Sequence, residues 1–132
     1  MAMQLRIVCP EECVFDGPVA YVAVPSTDGD FGILSKHASE ICTIEHGYIR
    51  VSDQHIGTVD HVIAVTEGYV QVANDQIIVL AERAVDMGNV DKDEVRARQA
   101  GFEDGLRNLS EDDARRAYLY NEIAWCKLLL AR

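Results

Sequence analysis

With 132 residues and a mass of 14.7 kDa, the chain has room for one domain of ordinary size, or one small domain with an appendage. A composition of 48% hydrophobic and 26% charged residues excludes a disordered segment, because that much apolar surface can build a core. The formal charge of -10 argues against nucleic acid or an anionic membrane surface as a direct partner, since both repel an acidic protein.

No apolar run approaches the roughly 18 to 20 residues of a membrane span, and no basic segment leads into an apolar signal stretch. A cytoplasmic protein is expected, in solution or held at a membrane by a partner. Cys9, Cys13, Cys42 and Cys126 are too few and too irregularly spaced for a disulfide framework or a paired zinc motif, so reduced thiols are expected. The charge is uneven. Residues 1–89 hold 13 acids against 4 bases, a formal -9, while residues 90–132 hold 9 against 8, a formal -1.

In chain order, the first element is "MQLRIVC", where Met3, Leu5, Ile7 and Cys9 alternate with Gln4, Arg6 and Val8, as a strand with one side on a core requires. Further strands are predicted at 19–24, 31–34, 41–44, 48–51, 59–65, 69–73 and 77–80. They are rich in Val, Ile and Tyr and divided by the turn signals Asp16-Gly17-Pro18, Asp28-Gly29-Asp30, His46-Gly47, Glu67-Gly68 and Asn74-Asp75. Eight to ten short strands at this spacing predict a sandwich or flattened barrel over residues 1–86.

Residues 87–132 change period. Asp91 with Glu94 three residues later is a capping pair, opening a helix that carries Val95, Phe102, Leu106 and Leu109. Gly101 and Gly105 weaken it, each by about 0.5 to 1 kcal/mol relative to Ala. Ser110, followed by Glu111-Asp112-Asp113, is the expected start of a second helix. Its apolar stripe is Leu119, Ile123, Cys126 and Leu130, so the tail reads as an antiparallel two-helix hairpin.

The chemistry of the side chains offers little to an enzyme. Ser35 and Cys42 flank His37, but neither a nucleophile elbow nor a cysteine-protease signature surrounds them. His37, His46, His55 and His61 are spaced by nine, nine and six, which matches no metal-ligand motif. Phosphate-binding glycine loops are absent, and Arg96, Arg98, Arg115 and Arg116 read first as an ordinary charged helix face.

Two blocks of sequence carry a family resemblance. "VFDGPVAYVAVPSTDGDFGILSKHASEICTIEHGYIRV" has a Phe-x-Gly turn before a strand and a Gly-x-Phe-Gly-Ile run leading to His-Ala, and "EGYVQVANDQIIVLAERA" ends in Val-Leu-Ala with an Ala nearby. The chain thereby resembles the epsilon subunit of bacterial F-type ATP synthases, whose mitochondrial counterpart is the delta subunit, from end to end. Ser39 stands where that family usually has Pro, and Glu67 replaces the first glycine of its Gly-Gly pair.

The resemblance implies a non-catalytic subunit of the central stalk, coupling the gamma subunit to the membrane c-ring during proton-driven ATP synthesis. It would sit peripherally on the cytoplasmic side of the membrane, with no resident cofactor or metal. Asp28, Gly29, Asp30 and Phe31 then match the loop on the c-ring, with the acids held outward and Phe31, Ile33 and Leu34 anchored in the core. His37, Ser39 and Cys42 match positions facing gamma. The two helices would inhibit ATP hydrolysis when extended into the alpha/beta catalytic head. Asp91, Arg96 and Arg116 correspond to nucleotide contacts of ATP-binding members, although two extra residues separate Asp91 from Arg96, and Ile123 stands where those members have an arginine. Two readings from other classes are a stand-alone sandwich module that dimerises through the Leu119–Leu130 stripe, and a small cupin-like metalloenzyme using the histidines.

Overall fold

Alternation along the chain builds two sheets, in a computed structural model that describes residues 3–27, 29–36 and 38–132. The strands are β1 (Met3–Cys9), β2 (Glu12–Val19), β3 (Tyr21–Ser26), β4 (Gly29–Ile33), β5 (Glu40–Ile44), β6 (Gly47–Ser52), β7 (His61–Val65), β8 (Gly68–Ala73), β9 (Gln76–Ala81) and β10 (Ala84–Asp86). One sheet has the order β2-β1-β9-β8-β5 and the other β10-β7-β6-β3-β4. Their inner faces meet in one core, to which Leu5, Ile7, Val70 and Val79 contribute from the first sheet and Val22, Ile33, Ile49 and Ile63 from the second, all without exposed surface. This is the sandwich that many short alternating strands demand.

Some strand assignments shift for physical reasons. Asp16-Gly17-Pro18 is no turn: it lies inside β2, with Gly17 opposite Leu5 and Pro18 opposite Gln4. β2 is an edge strand, and an edge tolerates a proline that donates no ladder hydrogen bond. β10 has three residues, too few for its alternation to register, and it is held by antiparallel pairing with β7. Val59 is exposed and precedes β7, which starts at His61. Leu34 is 47% exposed rather than anchored in the core, because Ile33, the last residue of β4, takes the inward position and Leu34 follows it outward.

The chain divides into two compact units, Met1–Gly88 and Asn89–Arg132. After a single 3-10 turn at Met87–Asn89, the second unit is formed by α1 (Lys92–Arg107) and α2 (Arg115–Leu130), which pack on each other as a hairpin. Asp91 caps α1, its carboxylate accepting from the amides of Asp93 at 3.0 Å and Glu94 at 3.3 Å. Leu109 falls beyond the C-cap Asn108 rather than on the helix. Ser110 does not start α2. The helix begins five residues later, where the Asp113 carboxylate accepts from the backbone amide of Arg115 at 2.9 Å. Along α2 the buried residues are Glu122, Ile123, Cys126 and Leu129. Of the predicted stripe, Ile123 and Cys126 are buried while Leu119 and Leu130 are half-buried, Leu129 rather than Leu130 taking the inward position.

Candidate docking site

The turn between β3 and β4 closes with Ser26 opposite Gly29, whose φ of +106° lies in the region that favours glycine. The Ser26 hydroxyl donates to the Gly29 carbonyl and fixes the turn. Phe31 is half-buried against the core, so the segment is anchored at its base. Asp30 does not wait for an external cation: its carboxylate pairs with the Arg50 guanidinium from β6. Because both groups remain partly exposed, the pair contributes on the order of 0 to 1 kcal/mol and fixes position more than it adds stability. Asp28, the other acid assigned to this loop, lies outside the described residues.

Strand pairing brings further turns to the same end of the sandwich. Cys9 faces Glu12, Ile44 faces Gly68, Gly47 faces Val65, and the Glu45 amide donates to the Pro25 carbonyl beside the Ser26–Gly29 turn. Glu45 therefore stands exposed beside the β3–β4 turn, Glu67 at the same end, and Glu11 and Glu12 toward its far side at the β1–β2 turn. This end carries a negative field suited to a basic surface.

The second set of candidate residues lies at β5. Ser39 is exposed just before the strand, and Cys42 is half-buried with its side against the core. Burial, reinforced by the charge of Glu40, pushes the Cys42 thiol up. The approach to β5 is fixed by Asp75, whose carboxylate accepts from the Lys36 amide at 2.7 Å and the Ser35 hydroxyl at 3.2 Å. β5 is an edge strand, and Ile41 beside Cys42 is 70% exposed. His37 lies outside the described residues.

The three residues compared with nucleotide contacts do not converge in the closed hairpin. Asp91 and Arg96 belong to the first turns of α1, and Arg96 pairs with Asp93 at 2.7 Å. Arg116 bonds at the other end of α1, to the carbonyls of Leu106 and Leu109. At about 1.5 Å of rise per residue, roughly 20 Å of helix separates Leu106 from Asp91. As to metals, among the described residues no group of three or more His, Cys, Asp or Glu side chains converges. His61 instead meets Asp53 at 2.9 Å and the edge of Phe15.

Arg50 and Asp75 are the residues of this site that the sequence alone does not reveal. Each acts on a segment 20 or more positions away, and only strand order makes the contact.

Comparisons with known proteins agree with this architecture. Residues 2–87 match the family described as "ATP synthase, Delta/Epsilon chain, beta-sandwich domain". The ATP synthase epsilon chain of Rhodospirillum rubrum is 36% identical over 109 residues, spanning 83% of this chain and 80% of that protein. The epsilon chain of Campylobacter jejuni subsp. doylei is 30% identical over 121 residues, 92% of either chain. Among solved structures, a chain of the Euglena gracilis mitochondrial ATP synthase (OSCP/F1/c-ring) superposes with a TM-score of 0.75 at 17% identity, covering 98% of this chain and 80% of that one. A chain from the central stalk and c-ring of the Tetrahymena thermophila enzyme gives 0.61 at 18%, covering 99% and 96%.

Proposed function

The chain belongs to the delta/epsilon chain family of ATP synthases, and from that premise we propose that it is the epsilon subunit of a rotary F-type enzyme, a part of the central stalk that joins gamma to the c-ring. The observation that carries the docking role is the turn-rich end of the sandwich, where Glu11, Glu12, Glu45 and Glu67 stand exposed at the same end as the β3–β4 turn. Such a surface suits basic loops of a ring better than a lipid surface, and its charges steer and orient docking more than they tighten it. Ser39, Cys42 and the exposed Ile41 at the β5 edge are the proposed gamma contacts, together with His37, which lies outside the described residues. The working location is peripheral, on the cytoplasmic side of the membrane.

Unit 1 is then the docking domain and unit 2 a regulatory tail that reaches the alpha/beta head when extended and restrains ATP hydrolysis. The thin apolar lining of α1, where Val95 is the buried residue, supports a tail that can change its packing at modest cost. Purification with the gamma subunit of the same organism tests the assignment: a one-to-one complex is expected, weakened by Ile41→Asp, and its absence at micromolar concentrations sinks the reading. Removal of residues 89–132 tests the brake. Hydrolysis by the assembled enzyme is expected to rise, and unchanged hydrolysis under every nucleotide condition refutes that role.

A further inference from the structure

A helix ends with carbonyls that need donors and with the negative pole of its dipole, and α1 ends at the hairpin turn. Two of its donors are local, the Asn108 amide to Gly105 at 3.2 Å and the Leu109 amide to Leu106 at 3.3 Å. The others come from across the hairpin. Arg116, in the first turn of α2, donates through Nη1 to the Leu106 carbonyl at 3.3 Å and to the Leu109 carbonyl at 3.2 Å. Its Nη2 donates to the Tyr120 hydroxyl at 3.2 Å, and the guanidinium lies 5.7 Å from the centre of the Tyr120 ring, within cation–π reach.

Arg116 is poorly placed for its own helix. The first turn of α2 contains Arg115 and Arg116 and no acid, whereas the positive pole there favours carboxylates. Arg115 is answered by Asp113, which accepts from its Nε at 3.1 Å and its Nη2 at 2.7 Å. Arg116 is answered instead by the negative end of α1. A cation that is unfavourable in one helix and capping in the next keeps its bonds to the Leu106 and Leu109 carbonyls only while the hairpin is closed, whereas its contact with Tyr120 lies within α2.

We propose that Arg116 is the latch of the tail hairpin: its guanidinium ties a carbonyl of the last turn of α1 and one just beyond the C-cap to the first turns of α2, closes the hairpin without a nucleotide, and must let go before the helices part. A phosphate that engaged Arg116 would have to displace two carbonyls and a tyrosine hydroxyl, so an anion competes with closure. Lysine cannot substitute, because a single ammonium does not span these acceptors as a guanidinium does. The latch follows from the hairpin alone. Its use to control ATP hydrolysis rests on the reading of unit 2 as a brake.

Amide hydrogen exchange on the full chain and on Arg116→Ala, Arg116→Lys and Tyr120→Phe tests it. Charged hydrogen bonds of this kind are strong enough that Arg116→Ala is expected to lose roughly tenfold or more in protection over residues 102–120, with sandwich segments unchanged. Arg116→Lys should approach the Ala variant, and Tyr120→Phe should lose less. If Arg116→Ala does not accumulate, the other two carry the comparison. Wild-type protection in all variants overturns the latch. So does a gain of protection on adding MgATP that the wild type shows and Arg116→Lys lacks, since Arg116 would then be a nucleotide ligand. In the assembled enzyme, Arg116→Ala should lower ATP hydrolysis by freeing the tail. Loosened exchange with unchanged hydrolysis removes the brake reading while leaving the latch in place.

Discussion

In the sandwich, apolar side chains from both sheets are fully enclosed, while in the tail hairpin the buried apolar set is Val95 of α1 with Ile123, Cys126 and Leu129 of α2. The glycines differ in the same way. A Cβ on Gly68 would collide with the Leu80 carbonyl oxygen across the β8–β9 pair, and one on Gly47 would lie 2.9 Å from Pro25, so the close strand packing requires both glycines. A Cβ on Gly101 would meet nothing within 4 Å, and one on Gly105 would make an ordinary 3.6 Å contact with Leu119. The first unit is held by enclosed apolar side chains and close strand approaches. The second is held by caps, a polar clasp and a thin apolar seam, the construction expected of an element that changes its packing.

The hardest test of that contrast is a cavity in the sandwich. Ile63 sits in β7 with no exposed surface, so Ile63→Ala should cost about 2 to 5 kcal/mol in urea unfolding of the full chain. Gly68→Ala should follow at about 1 to 3 kcal/mol, because the added methyl must push β8 away from a backbone carbonyl rather than from a yielding side chain. A neutral result for either would mean that the sandwich relaxes as readily as the tail, and the comparison would collapse.

How far the sequence foretells this depends on the range of each interaction. Alternation in Met3–Cys9 and in 69–73 exposes strands directly, since each inward residue is its own signal. The parallel pairing of β1 with β9 and the reach of Arg50 to Asp30 leave no local trace, because they depend on strand order. Pro18 read as a turn because the edge position of β2, which makes proline tolerable there, is also a property of the sheet. In the tail, Ser110 reads as the start of α2, but the helix begins at Arg115, whose backbone amide and side chain both bond the Asp113 carboxylate. The i,i+4 relation of Arg116 to Tyr120 is written in the sequence. Its bonds to Leu106 and Leu109 exist only once the hairpin has turned.

Within the tail the effects should be smaller and separable by Trp125, the chain's one tryptophan, which lies on α2. Asp91→Ala removes the carboxylate that holds two amides of α1 and should destabilise the tail by about 1 kcal/mol, with Asp91→Asn nearly neutral. Gly101→Ala should act oppositely, stabilising by about 0.5 to 1 kcal/mol, because it adds helix propensity into open space. The same substitution at Gly68 and at Gly101 thus carries opposite signs. A destabilising Gly101→Ala would show that α1 is packed as tightly as a strand.

The smallest effect is a dependence on pH. The Asp113 carboxyl is lowered from 3.8 to about 2, chiefly by the side-chain hydrogen bonds of Arg115 and next by its backbone amide. A group whose folded value lies below its unfolded one stabilises the fold fully above the unfolded value, and the contribution fades as pH falls through the folded one. The Asp113–Arg115 clasp should therefore be intact above about pH 4 and lost progressively toward pH 2, with Arg115 charged throughout. Since Arg115 is largely exposed and Asp113 partly so, the change is small and belongs to the tail alone. An acid titration of Trp125 fluorescence that tracks this window in the wild type, and is shallower in Asp113→Asn, places the clasp in the tail's stability. Identical profiles would assign the acid response to other carboxylates.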